Sequence, residues 1–332
     1  MKVLVTGGSG FIGANLIQFL AERGAQVLNL SLDPPLDPGQ HAFWRAGDIM
    51  DAAALRRGFA GFAPDQVIHL AARTDCREDT TVEESYAVNT TGTRNVLEAV
   101  KATPSISRVI ITSSQFVCGP GYLPKRDDDY HPVTVYGQSK VITEQLARQA
   151  NLACCWTIVR PTNVWGPWHM RYRREAWRVI ARGFYAHPGG KPVIRCYAYV
   201  GNVVRQMNRI LELPATQVNG RVLYLGDPPA DIYEWVNGFS RALTGRPARK
   251  VPRLLLHGAG WLGDAITRIR GRQFYLTTRR YRSMTTDYVV PMEETYQVLG
   301  RPEIPLRDGI QETVKWLRAA AQMPDGLQLG GG

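Results

Sequence analysis

The strongest constraint on this chain lies in its first thirteen residues. A short β-branched run, Lys2–Thr6, leads straight into Gly7-Gly8-Ser9-Gly10-Phe11-Ile12-Gly13, and a helical pattern runs from Phe11 to Arg23. Glycine spacing alone is a weak signal, but a strand that turns through glycine into a helix is a strong one. Gly7 permits the tight turn, Gly10 lets a pyrophosphate approach backbone N–H groups, and Gly13 lets the helix pack closely on the strand. The helix N-terminus, with Phe11 and Ile12 in its first turn, then meets negative charge. A dinucleotide site is the expectation.

The rest of the first half alternates strand and helix. Gln26–Leu30, Ala42–Ala46, Gln66–Leu70, Val109–Thr112 and Cys155–Val159 read as strands, and Asn89–Ala102 and Tyr136–Gln149 as helices. Alternation at this spacing implies a doubly wound parallel sheet with helices on both faces, an α/β Rossmann-type fold. From about Gly166 prolines and glycines become frequent and strands isolated. The expected organisation is a dinucleotide-binding domain over 1–165, to which later segments can return. A smaller α/β substrate lobe follows over 166–322, and a frayed glycine-rich tail over 323–332.

The net charge of +11 fits either phosphate-backbone binding or the steering of an anionic small substrate. Lys and Arg are dispersed, with modest clusters at Arg171–Arg178 and Arg268–Arg282, and there is neither zinc-finger spacing nor a basic arm. Steering is favoured and nucleic acid is not an expected partner. The five cysteines include no CxxC pair, and Cys154-Cys155 lies in an apolar run. Reduced thiols, no metal and a cytoplasmic location are expected. The opening MKVLVTGG lacks signal-peptide features, and no run of about 18 apolar residues is present to span a membrane. Leu254–Ile269 is moderately amphipathic and reads as a surface or partner helix, ahead of membrane contact.

Tyr136-Gly137-Gln138-Ser139-Lys140 puts Tyr136 and Lys140 one turn apart on one helix face. Upstream, Thr112-Ser113-Ser114 ends one strand, and His69-Leu70-Ala71-Ala72 ends another where a cofactor would lie. With TGGSGFIG (6–13), GDIMD (47–51), NTTGTRNVLEA (89–99), RPTNVWGP (160–167) and LGRPEIPLRDGIQETVKWL (299–317), the ordered set resembles the extended short-chain dehydrogenase/reductase family. Within it, the likeness is to the NAD-dependent epimerase/dehydratase branch that acts on nucleotide sugars.

That resemblance implies roles. Tyr136, Lys140 and Ser114 are the catalytic set. Gly7, Gly10, Phe11, Ile12, Gly13, Asp48, Ile49, Leu70, Ala71, Ala72, Asn89 and Thr112 hold the cofactor, and Lys140 also binds its ribose. Ser114, Asn163 and Arg195 meet the substrate, Arg195 on its diphosphate. The acid that usually holds the adenine ribose is replaced by Ser31, with Asp33 two residues on. NAD is favoured and NADP remains open. A homodimer is expected.

The chemistry follows from residue types. A sugar hydroxyl loses its proton as hydride leaves the same carbon. A free Tyr, with a pKa of about 10, is too weak a base near neutrality, so phenolate needs the Lys140 ammonium and a cationic nicotinamide nearby. Dehydratases of the family carry an acid just after the Ser position, where this chain has Gln115, Phe116 and Val117. Epimerisation of a nucleotide-diphosphate sugar through a transient keto-sugar is the leading expectation. The alternative is net oxidation or reduction of a keto-sugar or 3β-hydroxysteroid, since Tyr199-Val200-Gly201-Asn202-Val203 is similar to the hydroxysteroid branch. Cys118 and Gly201-Asn202 depart from the family pattern, which often has Tyr at the first and two acids at the second.

Overall fold

The computed structural model describes residues 1–271 and 274–321, so the tail expected over 323–332 lies outside the described residues. The chain divides into two compact units. One comprises Met1–Val164, Tyr197–Pro228 and Val290–Glu303, and the other Trp165–Cys196, Pro229–Val289 and the residues from Ile304 on.

The first unit is built on β1 (Lys2–Thr6), β2 (Gln26–Ser31), β3 (Trp44–Ala46), β4 (Gln66–His69), β5 (Arg108–Thr112), β6 (Cys155–Pro161) and β7 (Val222–Leu225). They form one sheet in the order β7-β6-β5-β4-β1-β2-β3, every pairing parallel. Every residue of β5 and β7 is buried. Apolar runs without alternation are what a parallel sheet covered on both faces requires. Its helices include α1 (Phe11–Glu22), α2 (Ala52–Phe62), α3 (Thr93–Lys101), α4 (Val135–Gln149) and α5 (Val200–Glu212).

Because all strands run the same way, their C-terminal ends share one edge. Thr6 pairs with His69 across β1 and β4, and Thr112 with Val159 across β5 and β6. The strand order reverses between β1 and β4, the usual place for a ligand crevice in such sheets. The glycine loop leaves β1 there, and Leu70–Ala72 leave β4.

Three local readings shift. The helix expected from Asn89 begins as a π-turn, Val88–Gly92, before α3, and the Asn89 carbonyl accepts from both the Thr93 and Thr143 hydroxyls. The strand expected over 42–46 is confined to β3, because Pro38 and the Asp37 cap start a 3-10 turn through Phe43. α2 has no counterpart in the sequence reading, although the Asp51 carboxylate caps the Ala53 and Ala54 N–H groups. Of the later segments, 197–228 and 290–303 belong to the first unit. They return because β7 extends the sheet beside β6, and the Thr295 hydroxyl ties the last segment to the Tyr224 carbonyl at 2.7 Å.

The second unit packs around aromatic rings. Trp165, Trp235 and Phe239 meet edge to face with centroids 4.8–6.0 Å apart, beside the buried Trp177. α6 (Ile232–Thr244) supplies Trp235 and Phe239; α7 (Arg253–Arg270), α8 (Thr278–Thr285) and α9 (Leu306–Ala321) are its other main helices. Among the described residues no helix is long and apolar enough to cross a membrane.

Candidate active site

The glycine loop behaves as its spacing requires. Gly7 has φ +73°, and a side chain there would meet the Ala71 backbone at 2.5 Å, so the first loop rests directly on the segment leaving β4. A side chain at Gly13 would run into the Gly8 backbone. At Gly10, the N-cap of α1, the nearest atom to an added carbon is the Gly7 carbonyl at 3.4 Å, so that side of the loop is open. No side chain caps α1, and no acid stands in its first turn. The helix terminus therefore presents its N–H dipoles to an incoming anion. Gly8, not singled out in the sequence, is equally constrained, since a side chain would strike the Asn29 amide and Ile17 at 2.6 Å.

Ser31 is explained by the same loop. Its hydroxyl donates to Asn29 Oδ1 at 2.6 Å and accepts the Ser9 N–H at 3.2 Å, while Asn29 Nδ2 donates to Ser9 Oγ at 3.0 Å. Ser9, Asn29 and Ser31 are buried, and Asp33 is exposed two residues beyond. Asp48 is half-buried and spends one carboxylate oxygen on the Met50 N–H. The Ile49 side chain is buried, and its carbonyl accepts from Asn95.

At the end of β4, His69 bridges Thr6 Oγ1 at 2.7 Å and Thr93 Oγ1 at 3.1 Å. Burial, and secondarily the Lys140 charge, push its imidazole down to about 3, so it stays neutral. Leu70 N donates to the Thr6 carbonyl, and Ala71 and Ala72 follow half-buried. Asn89 is fully buried. Its amide accepts from Arg73 N at 2.8 Å and donates to Arg73 O at 3.0 Å and Ser139 Oγ at 2.9 Å. It thus ties the segment after β4 to α4 and positions the site through these neighbours.

The Tyr136, Lys140 and Ser114 side chains are all buried at the C-terminal end of β5. Thr134 caps α4 through the Gly137 N–H, which sets Tyr136 and Lys140 on the inward face. Burial pushes the Tyr136 phenol above its ordinary value, and a hydrogen bond with Ser114 pulls the other way. Tyr86 and Phe116 flank its ring, centroids 6.2 and 5.8 Å away. Lys140 Nζ donates to the Thr112 carbonyl at 2.9 Å. Burial lowers its pKa to about 8, against the opposing pull of Glu144. Among the described residues, the buried Thr112 Oγ1 and Ser113 Oγ hydroxyls have no hydrogen-bond partner. Buried polar groups are rarely left so, and these two sit where a bound ligand could satisfy them.

One pair escaped the sequence reading. Glu144, a turn beyond Lys140, forms a fully buried two-pronged ion pair with Arg160, both contacts 2.8 Å. Tyr130 donates to Glu144 and Arg160 donates to Tyr224, completing the cluster. Its signal was available, since Glu144 lies four residues after Lys140 and Arg160 opens RPTNVWGP. Asn202, one of the family departures, donates to Asp227 Oδ1 at 2.7 Å while Tyr199 N holds Oδ2. Burial raises the Asp227 carboxyl to about 6. Cys118 is buried, with its thiol on the Asp129 carbonyl.

Asn163 is half-buried at the start of the short strand Asn163–Trp165. Arg195 belongs to the second unit. It is buried, its Nε donates to the Thr286 carbonyl at 3.1 Å, and its strand pairs antiparallel with Ala230–Asp231. Among the described residues, no cluster of three or more His, Cys, Asp or Glu could hold a metal.

Residues 3–226 match the model of the NAD dependent epimerase/dehydratase family. The chain belongs to that family. It is 29% identical over 277 residues to a 3-beta-hydroxysteroid dehydrogenase of Mycolicibacterium neoaurum, covering 77% of this chain and 73% of that one. It is also 29% identical over 292 residues to the N-acetyl-alpha-D-glucosaminyl-diphospho-ditrans,octacis-undecaprenol 4-epimerase of Escherichia coli O157:H7, covering 85% and 84%. Among solved structures, MoeE5 in complex with UDP-glucuronic acid and NAD superposes with a TM-score of 0.73 at 23% identity, covering 96% of this chain and all of that one. The UDP-glucuronic acid 4-epimerase of Bacillus cereus gives 0.71 at 20%, covering 96% and 100%. These two likenesses establish the fold.

Proposed function

We propose that the protein is an NAD-dependent epimerase of a sugar carried on a nucleoside diphosphate. The observation that carries this reading is the buried Tyr136–Ser114 pair, with Lys140 one turn on and no carboxylate in the turn after Ser114. That turn, Gln115–Val117, begins with a fully buried glutamine. An elimination needs an acid or base at the neighbouring carbon, and the chain offers none at that position.

The residues fit a dinucleotide. Gly7–Gly13 and the uncapped end of α1 would hold the pyrophosphate, Asp33 and Asp48 the adenosine end, and Leu70–Ala72 with Thr112 the nicotinamide side. The bound nicotinamide supplies the hydride acceptor and donor. Tyr136, which the Lys140 ammonium and the cationic nicotinamide, when bound, would draw to the phenolate, takes the proton of the sugar hydroxyl and later returns it. Ser114 hydrogen-bonds the reacting oxygen and keeps it in line with the Tyr136 phenol. Lys140, lowered to about 8, would hold the nicotinamide ribose. The carbon passes through a ketone, and re-entry of hydrogen from the other face inverts it. Asn163, and Arg195 on the diphosphate, are the proposed substrate contacts.

A second reading has its own support. The YVGNV segment and the steroid-dehydrogenase relative favour a sterol-like alcohol oxidised in one direction. Denaturing the purified protein and weighing the released small molecules decides between them. Retained NAD with a sugar nucleotide supports the epimerase. Absence of both, with net NADH formation from a sterol, replaces it. A cytoplasmic location and a homodimer accompany the proposal. Five free cysteines support the first, and light scattering tests the second.

A further inference from the structure

Helix α7 in the second unit carries its polarity inside out. Leu254 (81% exposed), Trp261 (65%), Leu262 (63%) and Ile269 (85%) face solvent together with Leu255. At 100° per residue they fall, with the exposed Gly258 and Ala265, in one stripe about 120° wide, and 18 residues give it a length of about 27 Å. No charge interrupts the stripe. Arg268 borders it on one side and Arg270 on the other, both exposed.

The inward face is Leu256, Gly260 and Gly263. Gly260 and Gly263 are buried against Leu276–Thr278, where a side chain at either would meet backbone, and Asp264 accepts the Thr278 hydroxyl at 2.5 Å. This face fits closely, so turning the helix over would force leucine and tryptophan into space that admits only glycine. The outward apolar stripe is therefore a fixed feature of the unit.

We propose that α7 docks this protein on an anionic lipid surface, lying in the plane of the interface without crossing it. The charge of the surrounding segment selects the occupant. Residues 246–282 contain ten Lys and Arg and a single acid, Asp264, which is most of the excess charge of the whole chain. Asp264 is engaged by Thr278, and Arg253 and Arg280 are held by the Gly189 and Lys191 carbonyls and by Glu175. Arg268, Arg270 and Arg282 are exposed at the surface. A second copy would bring the same positive surface against itself, whereas anionic headgroups complement it. An apolar stripe bearing Trp, with Arg along its margins, is the composition of an interfacial helix. The proposal is independent of the reaction assigned above.

Flotation with vesicles of phosphatidylcholine and phosphatidylglycerol in equal parts, against phosphatidylcholine alone, tests it. The wild-type chain binds the anionic vesicles, and added salt weakens the binding. Joint Leu254→Glu and Trp261→Glu substitution lowers the affinity by roughly tenfold or more, because it removes buried apolar area and adds repulsion. Arg268→Ser with Arg270→Ser lowers only the anionic-vesicle component. A melting temperature close to wild type confirms that each variant is folded, and Leu254→Ser with Trp261→Ser is the milder substitute if the glutamates disturb it. Three results overturn the proposal: no binding by the wild type, equal binding by the stripe variants, or a wild-type dimer that the same variants split without any vesicle binding.

Discussion

Helices α4 and α7 break the usual burial rule in opposite directions. α4 turns a phenol, an ammonium, a carboxylate and two hydroxyls inward, with Tyr136, Ser139, Lys140, Thr143 and Glu144 all buried. α7 turns leucine, tryptophan and isoleucine outward. Each violation costs stability unless it is compensated, and natural sequences accept such costs mainly where function requires them. α4 is compensated within the protein, through Arg160 for Glu144, the Thr112 carbonyl for Lys140 and Asn89 for Ser139. Among the described residues α7 has no such compensation in its own unit, and the partner proposed for it is the lipid surface. Buried polarity that is satisfied internally marks a site of chemistry, and exposed apolarity that is not marks a site of contact.

The contrast can be tested by how hard each face is to change. The largest effect belongs to Tyr136→Phe, which keeps the ring packing against Tyr86 and Phe116 and removes only the proton carrier. Turnover is expected to fall by about 10²–10⁴-fold, in line with general acid–base catalysis, while steady-state binding changes little. Next comes Glu144→Gln. It leaves the Arg160 guanidinium buried without its counter-charge, and denaturant unfolding should show a loss of about 3–5 kcal/mol.

A pH experiment isolates Lys140. Its folded-state pKa of about 8 lies below the ordinary 10.5, so between those values the unfolded chain binds the extra proton. Stability of the ligand-free protein therefore rises with pH across that window, by about 3 kcal/mol from this group alone, and the cost of burying the charge is fully present below pH 8. Lys140→Met should remove that rise, read as the difference between wild-type and variant urea midpoints on either side of the window. Asn89→Ala comes next, at about 1–3 kcal/mol for the Arg73 backbone and Ser139 groups left unpaired, with faster amide exchange at Arg73. The smallest effect is on α7, where Leu262→Glu should change stability by no more than about 0.5 kcal/mol, as for any exposed position free of special contacts. A loss on α7 as large as that on α4 would end the comparison.

Much of this is legible in the sequence. The glycine loop, the alternation of β1–β6 with helices and the Tyr136–Lys140 spacing are local patterns, set by residues within a turn or two of each other. What was not legible depends on long-range partners. β7 is four residues joining β6 from 64 residues away in the paired register Ile158–Val222, and nothing near it in sequence says so. Ser31 looked like the loss of a cofactor acid, but its hydroxyl is committed to Asn29 and the glycine loop, a partnership only folding reveals. The amphipathicity of Leu254–Ile269 was visible, but not which face points outward. That depends on Gly260 and Gly263 receiving the chain at Leu276–Thr278.

The central claim is that Tyr136, Ser114 and Lys140 serve one alcohol carbon, from which hydrogen leaves and to which it returns. The most direct test is to follow UDP-glucose and UDP-glucuronic acid by NMR in deuterated water with the NAD-loaded protein. The account predicts an epimer that carries no solvent deuterium at the inverted carbon, no net NADH, and loss of the signal in Tyr136→Phe. Deuterium at that carbon, or stoichiometric NADH without an epimer, would contradict it.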